Sequence, residues 1–213
     1  MTAPLRLLRH DTGADRLLVL LPGAYMRPED FVAAGFFTEV AQRDLRLDLA
    51  AVDVDLGQIS EGDAVPAIVD RILTPARANY RQVWLGGISL GGLLSLCIAA
   101  DHPDAVDGLC LIAPYPGSRL TLNAIARAGG LDLWQPTTDQ LADPEFRVYR
   151  WLKAPPADLP AFVGYGREDR FAAGMQGIAE RFPEAARWSV AGNHDWSAWQ
   201  ALWRHFLDLG HFA

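Results

Sequence analysis

Residues 82–100 read Gln-Val-Trp-Leu-Gly-Gly-Ile-Ser-Leu-Gly-Gly-Leu-Leu-Ser-Leu-Cys-Ile-Ala-Ala. A short apolar run, Val83-Trp84-Leu85, stops at two glycines, and a longer one resumes at Leu90. The first has the length of a buried strand and the second that of a buried helix. Between them stands Gly87-Ile88-Ser89-Leu90-Gly91, a Gly-x-Ser-x-Gly pattern on a strand-to-helix turn. A serine on so sharp a turn has a strained backbone, with strand and helix crowding in on either side. The residues two before and two after it must be nearly bare, which Gly87 and Gly91 are, and Gly86 and Gly92 relax the crowding further. The turn also sets Ser89 at a helix N-terminus, where free N–H groups and the helix dipole favour a developing oxyanion. At this composition, independent draws give on the order of 0.05 such matches per chain.

On either side of this stretch, short aliphatic runs alternate with segments of helical character. Leu5–Leu8, Arg16–Leu21, Leu45–Val54, Gln82–Leu85, Gly108–Ala113, Ala161–Tyr165 and Ala186–Val190 read as strands. Several are apolar almost without interruption, as in a parallel sheet covered on both faces. Helices are predicted from Pro28 to about Ala41, opened by Pro28 with Glu29 and Asp30 in the first turn. Others are expected over Asp63–Ala76, Leu90–Ala100, Phe171–Arg181 and Trp196–Leu209. This alternation predicts an α/β fold, a mostly parallel, doubly wound sheet with right-handed crossovers. In such sheets ligands bind outside the carboxyl ends of the strands, so the loops that follow strands are where chemistry is sought. Residues 114–160 break the pattern, with nearly fifty residues and no strand after a strand's carboxyl end. That length reads as a cap inserted into a single domain spanning 1–213, the alternative being an ordinary crossover helix with long loops.

The elbow and its setting resemble the α/β-hydrolase family, in which nucleophile, acid and histidine follow in that order along the chain. The resemblance implies a sheet of about six or seven strands and the catalytic residues Ser89, Asp169 and His194. Asp169 lies three residues after Gly166, just past the strand-like Ala161–Tyr165, as in the family's acid loop, and Glu168 is the neighbouring alternative. His194 opens the run His-Asp-Trp-Ser-Ala-Trp after the last strand-like segment, where the family keeps its general base. Asp195 is a poorer orienter because neighbouring side chains diverge. His10, His102, His205 and His211 lack this context and read as surface or packing residues. Pro22-Gly23-Ala24 is similar to the family's His-Gly-x turn with proline in place of histidine. It implies an oxyanion hole of the Ala24 and Leu90 N–H groups, with Tyr25 as the alternative to Ala24. The activity implied is acyl transfer to water through a covalent intermediate, on small or medium carboxylic esters or thioesters. Acyltransferase, lactonase or amidase chemistry would use the same three residues, and a non-catalytic ligand-binding relative is the reading from another class. Leu122, Ile125, Leu131, Trp134, Phe146, Tyr149 and Trp151 would either line an acyl pocket or pack the cap onto the sheet.

Composition excludes other classes. The chain has 213 residues, half of them hydrophobic and 21% charged, enough apolar material for a sizeable core. Nineteen basic against 26 acidic residues leave a net charge of −7, and the basic ones are scattered, so no nucleic-acid partner is expected. No metal-ligand cluster and no phosphate-binding loop stands in the sequence, so neither a metal nor another cofactor is expected. Cys97 and Cys110 lie in apolar runs and read as buried thiols rather than a disulfide. The N-terminal segment lacks the apolar core of a secretory signal, and no run approaches the ~20 residues of a membrane span, so a cytoplasmic protein is expected.

Overall fold

The computed structural model describes residues 5–60 and 62–213, with the side chains of residues 58 and 60 left aside. Its strands are β1 (Leu7–His10), β2 (Arg16–Leu21), β3 (Asp48–Val52), β4 (Gln82–Ile88), β5 (Gly108–Ile112), β6 (Ala161–Gly166) and β7 (Arg187–Val190). They form one seven-stranded sheet in the order β1-β3-β2-β4-β5-β6-β7. Every neighbouring pair is parallel except β1 with β3, which is antiparallel.

The near-continuous hydrophobicity of the strands follows from two covered faces. In β2, Leu17, Val19 and Leu21 join the core on one side, while Leu18 and Leu20 join that on the other. The helices are α1 (Pro28–Ala33), α2 (Phe36–Gln42), α3 (Leu56–Ser60), α4 (Ala64–Ile68), α5 (Thr74–Asn79), α6 (Leu90–Asp101), α7 (Arg119–Arg127), α8 (Pro144–Leu152), α9 (Ala172–Ala179) and α10 (Trp196–Asp208). The first core takes its helical residues mainly from α6 and α8, and the second mainly from α2 and α10. α6 is buried from Gly91 to Ala99, which is why its sequence shows no polar face. Cys97 and Cys110 fall in opposite cores as free thiols, and burial pushes Cys97 up to about 12 and Cys110 well above its ordinary value.

Two expected helices are interrupted. The helix predicted from Pro28 to Ala41 breaks at Gly35, whose φ of +83° leaves the helical region. The break turns Phe36 back on Phe31, ring edge to ring face at 5.3 Å. The helix predicted over Asp63–Ala76 is divided by a π turn, Val69–Leu73. Pro75 has no N–H for the carbonyl four residues before it, and the wider turn absorbs that loss.

The antiparallel edge is tied down by Asp48, only 3% exposed. Its carboxylate accepts from the Thr12 N–H (2.7 Å) and hydroxyl (2.9 Å), the Ala14 N–H (3.2 Å) and the Tyr80 hydroxyl (2.8 Å). Burial works to raise its pKa, but these donors outweigh it and hold the group below the ordinary carboxylate range.

Within 114–160, α8 packs beside α6, and α7 is fastened to it through Glu145. That carboxylate accepts from the Ser118 N–H (2.8 Å), the Ser118 hydroxyl (2.7 Å) and the Thr121 hydroxyl (2.7 Å). Arg147 reaches from α8 to Asp101 at the end of α6, at 2.8–3.1 Å. Ile125, Trp134, Phe146 and Tyr149 are buried in the first core, with Leu122, Leu131 and Trp151 packed against it.

Candidate active site

At the carboxyl end of β4 the chain turns into α6 through Ser89, with φ +54° and ψ −113°. This is a left-handed conformation that a side chain seldom adopts, so the surroundings must impose it. A Cβ on Gly87 would stand 2.3 Å from the carbonyl carbon of Gly91, and one on Gly91 would stand 2.2 Å from the Leu21 oxygen. No side chain fits at either position. The turn is closed by the Ser89 N–H on the Ile112 carbonyl (3.0 Å) and the Tyr115 N–H on the Ser89 carbonyl (2.8 Å).

Two further loops meet the elbow. The one after β6 carries Asp169, the one after β7 carries His194, and the two touch backbone to backbone. The Arg167 N–H donates to Val190 (2.9 Å) and the Glu168 N–H to Gly192 (3.1 Å), while the Glu168 carboxylate accepts from the Gly192 N–H. A Cβ on Gly166 would lie 2.3 Å from the Gly192 oxygen, so this contact needs glycine. Asp169 has a fully buried side chain. One of its oxygens accepts from the Phe171 N–H at 2.8 Å, and the other lies 2.5 Å from Nδ1 of His194. Nε2 of the same ring lies 2.9 Å from Oγ of Ser89. Ser89, His194 and Asp169, drawn from three loops, thus form one hydrogen-bonded chain.

Glu168 bonds the histidine loop's backbone rather than the imidazole, and Asp195 caps α10 by accepting from the Ala198 N–H at 3.1 Å. The imidazole stands edge-on between Trp199 (5.2 Å, 88°) and Phe171 (5.6 Å, 83°). Both rings also line the cleft, so Trp199 belongs to the site as well as to the packing of α10.

The loop after β2 completes the arrangement. Gly23 lies against the elbow, where a Cβ would come within 3.3 Å of the Ile88 oxygen and 3.5 Å of the Ser89 Cβ. Met26 braces this loop: its sulfur accepts from the Gly23 N–H at 3.2 Å, and its own N–H donates to the Gly23 carbonyl at 3.1 Å. Tyr25 sits at φ +64° and is 90% exposed. Leu90 opens α6, so its N–H belongs to the first turn, which has no intrahelical acceptor. Ala24, Tyr25, Met26, Ser89, Leu90 and His194 line one cleft of about 350 Å³, with Tyr115, Arg170, Phe171 and Trp199 on its walls. Of the aromatic and aliphatic residues expected to line a pocket or pack the 114–160 segment, none reaches this cleft.

Met26, Tyr115, Arg170 and Phe171 were not singled out in the sequence. Phe171 and Arg170 adjoin Asp169, which is the one signal that pointed their way; Met26 and Tyr115 had none. Among the described residues, no group of three or more histidine, cysteine or carboxylate side chains is placed to hold a metal ion.

A mostly parallel sheet, a strained serine turn after its central β4 and a histidine loop after its last strand define the α/β-hydrolase fold. A family model described as alpha/beta hydrolase fold matches residues 60–146. NocK of Nocardia uniformis subsp. tsuyamanensis, which carries an esterase designation, is 32% identical over 133 residues, covering 61% of this chain and 34% of NocK. The match thus spans about a third of that relative. Among solved structures, Est1E from Butyrivibrio proteoclasticus superposes with a TM-score of 0.67 at 14% identity, covering 96% of this chain and 93% of that one. Mouse alpha/beta hydrolase domain-containing protein 10 gives 0.64 at 17% identity, with the same coverage of 96% and 93%. The monoacylglycerol lipase of Paleococcus ferrophilus gives 0.64 at 15%, covering 96% and 97%. The chain thus has the α/β-hydrolase fold, and the proteins it is similar to include ones named as esterases and lipases. No described helix is long and apolar enough to cross a membrane.

Proposed function

We propose that the protein is a serine hydrolase that cleaves carboxylic esters or thioesters of small to medium acyl groups through an acyl-enzyme. The observation that carries this reading is the pair of contacts on one imidazole, 2.9 Å to Ser89 and 2.5 Å to Asp169. His194 takes the Ser89 proton as Oγ attacks the carbonyl carbon, and Asp169 holds the tautomer and stabilises the imidazolium. The Ala24 and Leu90 N–H groups receive the oxyanion. His194 then protonates the leaving alcohol or thiol, removes a proton from water, and the resulting attack frees the acid and restores Ser89.

Leu90 and Tyr115 also line a second, larger cavity of about 670 Å³, whose lining includes Val65, Leu93 and Leu94 as well as Asp101, Glu145 and Arg147. It offers room for a medium acyl chain. Residues 114–160 act as a cap in this reading, fastened by Glu145 and giving Tyr115 to the cleft. The two buried, unpaired thiols suit a reducing compartment such as the cytoplasm.

The test pairs covalent labelling with turnover. A fluorophosphonate should label Ser89, His194→Ala should abolish labelling, and Ser89→Ala should lower kcat on an aryl ester by about 10³- to 10⁵-fold. An unreactive Ser89 in folded protein would overturn the proposal.

A further inference from the structure

Among the described residues that line the cleft of Ser89 and His194, Arg170 is the one with a permanent charge. Its neighbours in Arg167-Glu168-Asp169-Arg170 are all engaged. Arg167 donates to the Ser189 carbonyl at 3.1 Å, Glu168 accepts from Gly192, and Asp169 serves His194 and Phe171. Arg170 has neither an ion pair nor a side-chain hydrogen bond among the described residues. Elsewhere Arg43, Arg147 and Arg181 each hold a carboxylate.

What positions Arg170 is an aromatic face. Its guanidinium carbon lies 4.6 Å from the centroid of Phe171, the ring that also stands edge-on to His194 and, at 5.3 Å, to Tyr115. Stacking on a ring fixes the planar cation while leaving its N–H groups free for a ligand. On a chain with a net charge of −7, an unpaired cation at the mouth of an otherwise uncharged cleft marks a place for negative charge.

We infer that Arg170 is a specificity residue for substrates carrying an anionic group, a carboxylate or phosphate, a few atoms from the scissile carbonyl. This rests on the esterase reading above and narrows its substrate class. The anion is bound by a bidentate guanidinium contact at the cleft rim, and it takes no part in bond making or breaking.

Two matched pairs of substrates test the inference. The first compares para-nitrophenyl hemisuccinate with para-nitrophenyl valerate, placing the charge on the acyl side. The second compares para-acetoxybenzoate with para-acetoxybenzamide, placing it on the leaving side. Each rate is normalised to the substrate's own alkaline hydrolysis, and the quantity read is the anionic-to-neutral ratio of kcat/KM.

In at least one pair the wild-type ratio should reach about 5, the upper range for a solvent-facing ion pair. Arg170→Gln should bring it to about 1, Arg170→Lys should keep part of it, and Arg170→Glu should invert it. Raising the salt to about 1 M, where the screening length falls to about 3 Å, should erase the wild-type preference. The pair that responds identifies the side of the scissile bond on which the charge sits.

A ratio near 1 in both pairs would overturn the inference. So would a change in Arg170→Gln that scales anionic and neutral members alike, which is what a mere packing role on Phe171 would produce. Failure of the esterase reading looks different: no turnover of any of the four esters and no fluorophosphonate on Ser89, which removes both claims together.

Discussion

The serine and the histidine of the candidate site are held in place by opposite means. Ser89 is fixed by what its neighbours lack: strand, helix and the β2 carboxyl end approach so closely that Gly87 and Gly91 have no space for a Cβ. His194 is fixed by what its neighbours carry: the Asp169 carboxylate, the Glu168 carboxylate on Gly192, the Asp195 cap and the rings of Phe171 and Trp199. The steric arrangement tolerates no partial version, because overlap of backbone atoms cannot be relieved by a rotamer. The stitched arrangement is divisible, and each hydrogen bond can be removed without moving the rest.

That contrast can be broken at its strongest point by Asp169→Asn, which should leave the fold in place and lower kcat by about 10³- to 10⁴-fold. Steady-state kinetics on an aryl ester beside a far-ultraviolet spectrum would check it, and a loss under tenfold would mean that the carboxylate does not orient the imidazole. Next in size, Gly91→Ala should cost about 3 kcal/mol of stability, since its new methyl would overlap the Leu21 oxygen. Urea unfolding measures this, and an unchanged midpoint would show that the elbow relaxes more easily than its contacts imply. Smallest is Glu168→Gln, where one bond of the stitch weakens. A cost of about 1 kcal/mol and a fall in kcat under about tenfold are expected. A loss as large as that of Asp169→Asn would transfer the orienting role to Glu168.

The same contrast explains what could be read in advance. β2 was legible to the residue, Arg16–Leu21, because a strand covered on both faces is continuously apolar. The elbow was legible because steric demands leave glycines in the sequence at fixed offsets. Asp169 could be placed by loop position, but its preference over Glu168 depends on a backbone N–H at Gly192, 24 positions along the chain. Gly35 and Pro75 stood in plain view within predicted helices, yet the breaks they cause also required Phe31–Phe36 packing and a π turn. Met26 was illegible, since a thioether that accepts from a backbone N–H leaves no composition signal.

The deep burial of α6 has a consequence for how the site fails. Amides between Leu93 and Ala99 are buried, so they are expected to exchange hydrogen for deuterium slowly, and the Ser89 hydroxyl sits at the head of that protected helix. The imidazole follows β7, one of the two edge strands, four residues long and only half covered. On the proposed function, His194 is therefore expected to loosen on warming while Ser89 is still held, so that ester turnover followed beside the far-ultraviolet signal should fall ahead of the melt.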